Sequence, residues 1–111
     1  MSELREKQSK FAVMIAQLIL RARAMGYEVT FGEAWRPPEW AAVMAAEGKG
    51  IANSLHIKKL AIDLSLFFQD EFLTKTEDYQ PLGELWEAWG GAWGGRFGDG
   101  NHFSLEHEGI R

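Results

Sequence analysis

The nine residues from Leu60 to Phe68, LAIDLSLFF, alternate in the period-two pattern of an extended chain. Leu60, Ile62, Leu64 and Leu66 fall on one face, and Ala61, Asp63, Ser65 and Phe67 on the other. The segment is therefore a strand with one apolar face, and it carries an aspartate among small neighbours on the other. The stretch just before it, KGIANSLHIKK, is polar and irregular, which puts His56 on a loop or at a strand edge.

Around this strand the chain offers helices and two further extended stretches. Leu4, Phe11, Met14, Ile15, Leu18, Ala22 and Met25 recur at three- and four-residue steps, so residues 3–25 read as an amphipathic helix, with Ser2 as cap and Gly26 as stop. YEVTFGEAWR alternates Tyr27, Val29 and Phe31 against Glu28, Thr30 and Gly32, a strand that ends before Pro37 and Pro38. The prolines then open a short helix over about 38–47, closed by Gly48. Residues 69–80 read as turn or loop, and a third helix runs from about Leu82 to Trp89. Six glycines between Gly90 and Gly100 make a flexible approach to HFSLEH, with His102 and Ser104 on one face and Phe103 and Leu105 on the other. The order helix, strand, helix, strand, helix, strand predicts an α+β fold, a small mainly antiparallel sheet with helices packed around it.

The 111 residues fit one domain, 1–111, with no linker or repeat. A net charge of -4 and a pI near 5.3, without long blocks of like charge, argue against a grip on nucleic acid or anionic membrane. FAVMIAQLILRARAM is too short and too broken by Gln17 and Arg21 to span a membrane, and it lacks the order of a secretory signal. Without cysteine, any metal must be held by His, Asp or Glu.

If the strands near 61–66 and 102–105 are neighbours, Asp63 and His102 converge and His56 enters from the preceding loop. Two imidazoles and a carboxylate suit zinc and leave a fourth position for water. The plain alternative is a solvated His56 and a hydrogen-bonded Asp63. Asp99, three residues before His102, could serve a hydrolytic site as general base or simply form an Asp-Gly turn. Arg36, just before the proline pair, could face an oxyanion or lie exposed beside Glu33 or Glu39. Trp86, Trp89 and Trp93 suit a core better than a sugar platform, although Trp93 beside the glycines could line a cleft and contact substrate. His107, between Glu106 and Glu108, is a possible fourth ligand in a segment usually solvated.

The patterns Ser54-x-His56-x6-Asp63, with Ala61 two before the aspartate, and Asp99-x-x-His102-Phe103 resemble the zinc D,D-carboxypeptidases, D-alanyl-D-alanine dipeptidases and phage L-alanyl-D-glutamate endopeptidases of the VanY-like group. The segment MGYEVTFGEAWRPPEW extends the resemblance to about Phe11–Leu105. The resemblance implies a fold like that of Hedgehog and the D-alanyl-D-alanine peptidases. It also implies His56, Asp63 and His102 as ligands of Zn2+, Asp99 as base, Arg36 as stabilising cation and Ser54 as a site-organising hydroxyl. One departure is Lys59, where the group usually has glycine, so the turn between His56 and the strand is expected to differ in shape.

An aspartate at position 99 resembles the endopeptidase branch. The implied activity is hydrolysis of peptidoglycan stem peptide, between L-alanine and D-glutamate, by a monomeric phage endolysin. It would be made in the host cytoplasm without a signal peptide and would act on the wall after release. A D-alanyl-D-alanine carboxypeptidase or dipeptidase is the second enzyme reading, and a zinc-stabilised module that binds wall peptide without cutting it is the third.

Overall fold

The computed structural model describes residues 2–49 and 54–111; the part of the irregular stretch at 50–53 lies outside the described residues. Helix α1 (Glu3–Ala24) forms where the apolar spacing demands it, and Ser2 Oγ caps it by accepting the Arg5 N–H at 3.3 Å. Glu3 and Glu6 sit in its first turn and Arg21 and Arg23 in its last, each sign at the favourable end of the helix dipole. Gly26 then turns the chain at φ +95° into strand β1 (Glu28–Phe31). Helix α2 (Pro38–Ala46) follows, with only Ala41 buried.

Strand β2 (Ala61–Phe68) is the hub of a wholly antiparallel sheet. On one edge it pairs with β1, Val29 opposite Leu66 and Phe31 opposite Leu64. On the other edge it pairs at one end with β3 (Glu71–Phe72) and at the other with β5 (His102–Ser104), which in turn pairs with β4 (Ala92–Trp93). Helix α3 (Gln80–Ala88) lies between β3 and β4 in the chain. The expected α+β architecture with a small antiparallel sheet is the one observed.

The apolar face of β2 joins α1 and α3 in one core. Leu18, Leu60, Leu66, Trp86 and Phe103 are fully buried there, each contributing on the order of 1.5–3 kcal/mol of transfer free energy. Trp86 meets Phe11 and Phe103 edge-on and donates its indole N–H to the Ser104 carbonyl at 2.9 Å. None of the described helices is long and apolar enough to cross a membrane.

Three expectations need correction. The first strand stops at Phe31 instead of continuing toward Arg36. Residues 69–80 are not plain loop: β3 folds back on β2, and a 3-10 turn (Thr76–Tyr79) follows. There the Tyr79 hydroxyl accepts the Leu66 N–H and donates to the Leu73 carbonyl, stapling the hairpin. The glycine run is not a slack tether either, since it contains β4 and a second 3-10 turn (Gly94–Phe97). A methyl group on Gly94 would lie 2.3 Å from the Asp99 carbonyl oxygen, and one on Gly100 would lie 2.6 Å from Thr76 Cα. These glycines permit close backbone approach.

Candidate metal centre

The register of β2 and β5 sets Asp63 opposite His102. Residues directly opposed on antiparallel strands leave the sheet on the same side, so this pair emerges on the face opposite Ile62 and Phe103. The alternation in LAIDLSLFF thus places an aspartate on the non-core face, and the alternation in HFSL brings a histidine to it.

His56 arrives on a tight turn just before β2. Ser54 Oγ accepts the His56 N–H at 3.2 Å, and the Ile57 and Lys58 N–H groups return to the Ser54 and Leu55 carbonyls. The Lys59 N–H then bonds the His56 carbonyl and the Leu60 N–H the Leu55 carbonyl, the pairing that closes a helix through a left-handed residue. Lys59 is that residue, at φ +58°. Lysine therefore takes the backbone conformation that glycine favours, and its presence is absorbed as local strain.

The three side chains meet. His56 Nε2 lies 3.5 Å and His102 Nδ1 3.4 Å from Asp63 Oδ1, and one donor atom from each residue lies within 4.8 Å of the others. Donors each about 2.0–2.2 Å from one tetrahedral zinc stand roughly 3.3–3.6 Å apart, so these two separations are compatible with ligands of one ion. Asp63 Oδ1 is buried with no hydrogen-bond partner among the described residues. Such an oxygen is costly unless a hydrogen-bond donor or a cation satisfies it. Burial tends to raise the Asp63 pKa, but the imidazoles of His102 and His56 outweigh it and bring the carboxyl down to about 2. It is ionised and ready to ligate at neutral pH. The residues fit zinc.

Asp99 stands beside this group in a turn fixed by backbone bonds: its N–H reaches the Gly94 carbonyl at 2.9 Å and its carbonyl accepts the His102 N–H at 3.1 Å. Its carboxylate makes no hydrogen bond or ion pair among the described residues, so the side chain is not needed to hold the turn. Desolvation raises its pKa, with His102 opposing and the Asp63 charge adding to the rise. Beyond it opens a cavity of about 200 Å³ lined by Lys75, Thr76, Tyr79 and Asn101 among others.

Arg36 is 9 % exposed, not the solvated arginine of the plain alternative, although Glu33 is its partner. Its Nε and Nη2 both donate to Glu33 Oε1, at 2.9 and 2.5 Å, and its backbone N–H reaches the His56 carbonyl at 3.3 Å. Glu33 itself was legible only as that partner, yet its Oε1 also stands 3.5 Å from His56 Nδ1. The sequence signal was a glutamate three residues before the arginine, where a strand meets a proline turn.

Trp93 borders a pocket with Glu87, Arg96 and Glu106, which includes none of the three clustered residues. It is 4 % exposed, and its indole N–H is held by the Gly100 carbonyl at 2.7 Å, so it props the Asp99 turn from within. His107 is absent from the three-residue group; its ring lies 3.4 Å from Lys7 Nζ and 3.8 Å from Glu108.

The D-alanyl-D-alanine carboxypeptidase family matches residues 47–105, more than half of the chain, and the matched segment contains Ser54, His56, Asp63, Asp99 and His102. No curated protein matches the chain.

Proposed function

The chain belongs to the D-alanyl-D-alanine carboxypeptidase family of peptidases, and from that premise we propose that it is a zinc enzyme hydrolysing the peptide stem of bacterial peptidoglycan between L-alanine and D-glutamate. The observation that carries this reading is the group of two buried imidazoles, His56 and His102, and the half-buried Asp63, close enough together to share one ion, with the uncommitted carboxylate of Asp99 beside it.

His56, Asp63 and His102 would hold the zinc, which when bound would act as a Lewis acid toward the scissile carbonyl and lower the pKa of a water ligand to about 7. Asp99 takes the proton of the attacking water and returns it to the leaving amine. Its desolvated carboxyl, raised from the ordinary aspartate value, is better matched to that exchange than a fully solvated one. Arg36 is held rigid by Glu33, and its Nη1, without a protein partner among the described residues, is left to stabilise negative charge on the substrate. Ser54 keeps His56 in place through the backbone.

The choice of an internal bond draws on the layout around Asp63. Arg36 lies toward the β1 edge of β2, while Asp99 and the cavity beyond it lie toward the opposite edge. A peptide laid across the strand can continue on both sides of the scissile bond, as an endopeptidase requires. Asp99 in place of glutamate points the same way. We further propose that the enzyme acts as a phage endolysin, monomeric, reaching the wall after release from the host cytoplasm.

The description of the matched family favours a second reading, removal of terminal D-alanine by the same chemistry. A module that only binds wall peptide would need the three ligands but not a free Asp99 carboxylate.

Mass spectrometry and amino-terminal labelling of purified peptidoglycan after digestion decide among these. The expected products are peptides beginning with D-glutamate, with L-alanine left on the muramyl sugar. Free D-alanine or D-alanyl-D-alanine without a new glutamate amine would replace the endopeptidase reading with the second. Sedimentation with peptidoglycan, without any new amine in the presence of zinc, would identify a binding module.

A further inference from the structure

Glu33 lies outside the segment that matches the family, and none of the roles above uses its charge except as the partner of Arg36. Its backbone is stitched to one candidate ligand: the Gly32 N–H donates to the Asp63 carbonyl at 2.8 Å, and the Asp63 N–H donates to the Glu33 carbonyl at 2.9 Å. The Arg36 N–H ties the same segment to the residue 56 carbonyl. Its carboxylate is aimed as firmly, because two N–H groups of Arg36 converge on Oε1. That oxygen faces His56 Nδ1 at 3.5 Å, the nitrogen on the far side of the ring from Asp63.

His56 is 4 % exposed, and its Nδ1 is buried without a hydrogen-bond partner among the described residues. A ligating imidazole must present a bare nitrogen to the ion, so its proton has to sit on the other nitrogen, and an acceptor there fixes both tautomer and ring orientation. Glu33 Oε1 is a carboxylate acceptor in that place.

We propose that Glu33 is a positioning residue for His56: it holds the proton on Nδ1 and keeps Nε2 bare and directed at the ion, while Arg36 holds Glu33. The inference rests on the zinc-site reading. It explains why a half-buried glutamate is paired with a buried arginine just beyond the end of β1. The pair orients a ligand in addition to placing a guanidinium near the substrate.

The test is zinc affinity, measured by competition with a chromophoric chelator, together with ¹⁵N shifts of the His56 ring in zinc-free protein. Glu33→Gln keeps the shape and still offers Arg36 an oxygen, so it is expected to fold. Its zinc affinity should fall about 10–100-fold, and the His56 shifts should move from an Nδ1-protonated ring toward a mixture of tautomers. Should the glutamine variant not fold, Glu33→Asp, which keeps the charge but withdraws it from Nδ1, should show the same changes to a smaller degree. A tie to Arg36 alone would move neither readout. Unchanged zinc affinity and unchanged His56 shifts overturn the proposal while leaving the zinc site standing. If the unaltered protein binds no zinc, the site reading falls and the proposal with it.

Discussion

The two edges of β2 hold the site by different means. Toward β5, the ladder sets His102 opposite Asp63, Phe103 and Trp93 are buried alongside, and the Asp99 turn closes on Gly94. Toward β1, the ladder has ended by Phe31, and beyond it Glu33 and Arg36 depend on backbone bonds to residues 56 and 63 and on their own ion pair. A ligand set by register is as secure as the sheet. A partner set by side-chain pairing is secure only while both charges are present. By this contrast, removing a ligand on the β5 edge should be felt in metal and catalysis together, whereas changes on the β1 side should appear first in affinity and orientation.

The largest effect is expected from His102→Ala, which removes one of three donors. Zinc affinity should fall by more than the roughly 100-fold that an outer partner can command, and peptidase activity should vanish with it. Metal analysis after dialysis at limiting zinc checks the first part and digestion of peptidoglycan the second. Retention of a full equivalent of zinc would place the ion elsewhere.

Asp99→Asn separates chemistry from ligation on that same edge. The carboxylate makes no contact that holds the turn, so fold and zinc content should persist while turnover drops on the order of 10²-fold or more. A drop of only a few-fold would return Asp99 to the role of turn residue and make Glu106 the next base to test.

Gly94→Ala probes the packing that carries Asp99 and His102. The added methyl would meet the Asp99 carbonyl oxygen at 2.3 Å and His102 Cβ at 2.7 Å, and neither can move without shifting β5 or its turn. A loss of about 1–3 kcal/mol of stability is expected, the ordinary cost of overpacking, with weakened zinc binding in the protein that still folds. Urea titration and metal competition measure the two. Equal stability with unaltered zinc affinity would show that the turn yields.

The same contrast explains what could be read from the sequence. Asp63 and His102 were legible because strand alternation is a backbone property with a fixed period, and the ladder needed only to bring two alternating segments together. His56 and Ser54 were legible as a resemblance in spacing, although the turn that aims them depends on Lys59 adopting φ +58°, which no periodicity encodes. The Glu33–Arg36 pair was legible as a pair, but the burial of Arg36 was not, since it depends on the segment folding back over residues 56 and 63. The glycine run was misread because glycine serves both slack chain and close packing, and only the neighbours of Gly94 and Gly100 distinguish the two.

The smallest effect belongs to Lys59, where stability and site geometry should come apart. A non-glycine residue in the left-handed region costs about 1–2 kcal/mol, and glycine returns part of that gain through the greater freedom of its unfolded chain, roughly 0.5–1 kcal/mol. Lys59→Gly should therefore stabilise the protein by about 0.5–1 kcal/mol and raise the melting temperature by a few degrees. The exposed Lys59 side chain makes no ion pair among the described residues that would be lost. Lys59→Ala is the control, because alanine meets the same steric penalty as lysine and should bring no such gain. Zinc affinity should stay unchanged in the glycine variant, since the bonds that seat His56 run through backbone atoms the substitution does not alter. Destabilisation by glycine would mean that the lysine side chain contributes a contact outweighing the strain. A gain in stability with weaker zinc binding would mean that the strained turn itself aims His56.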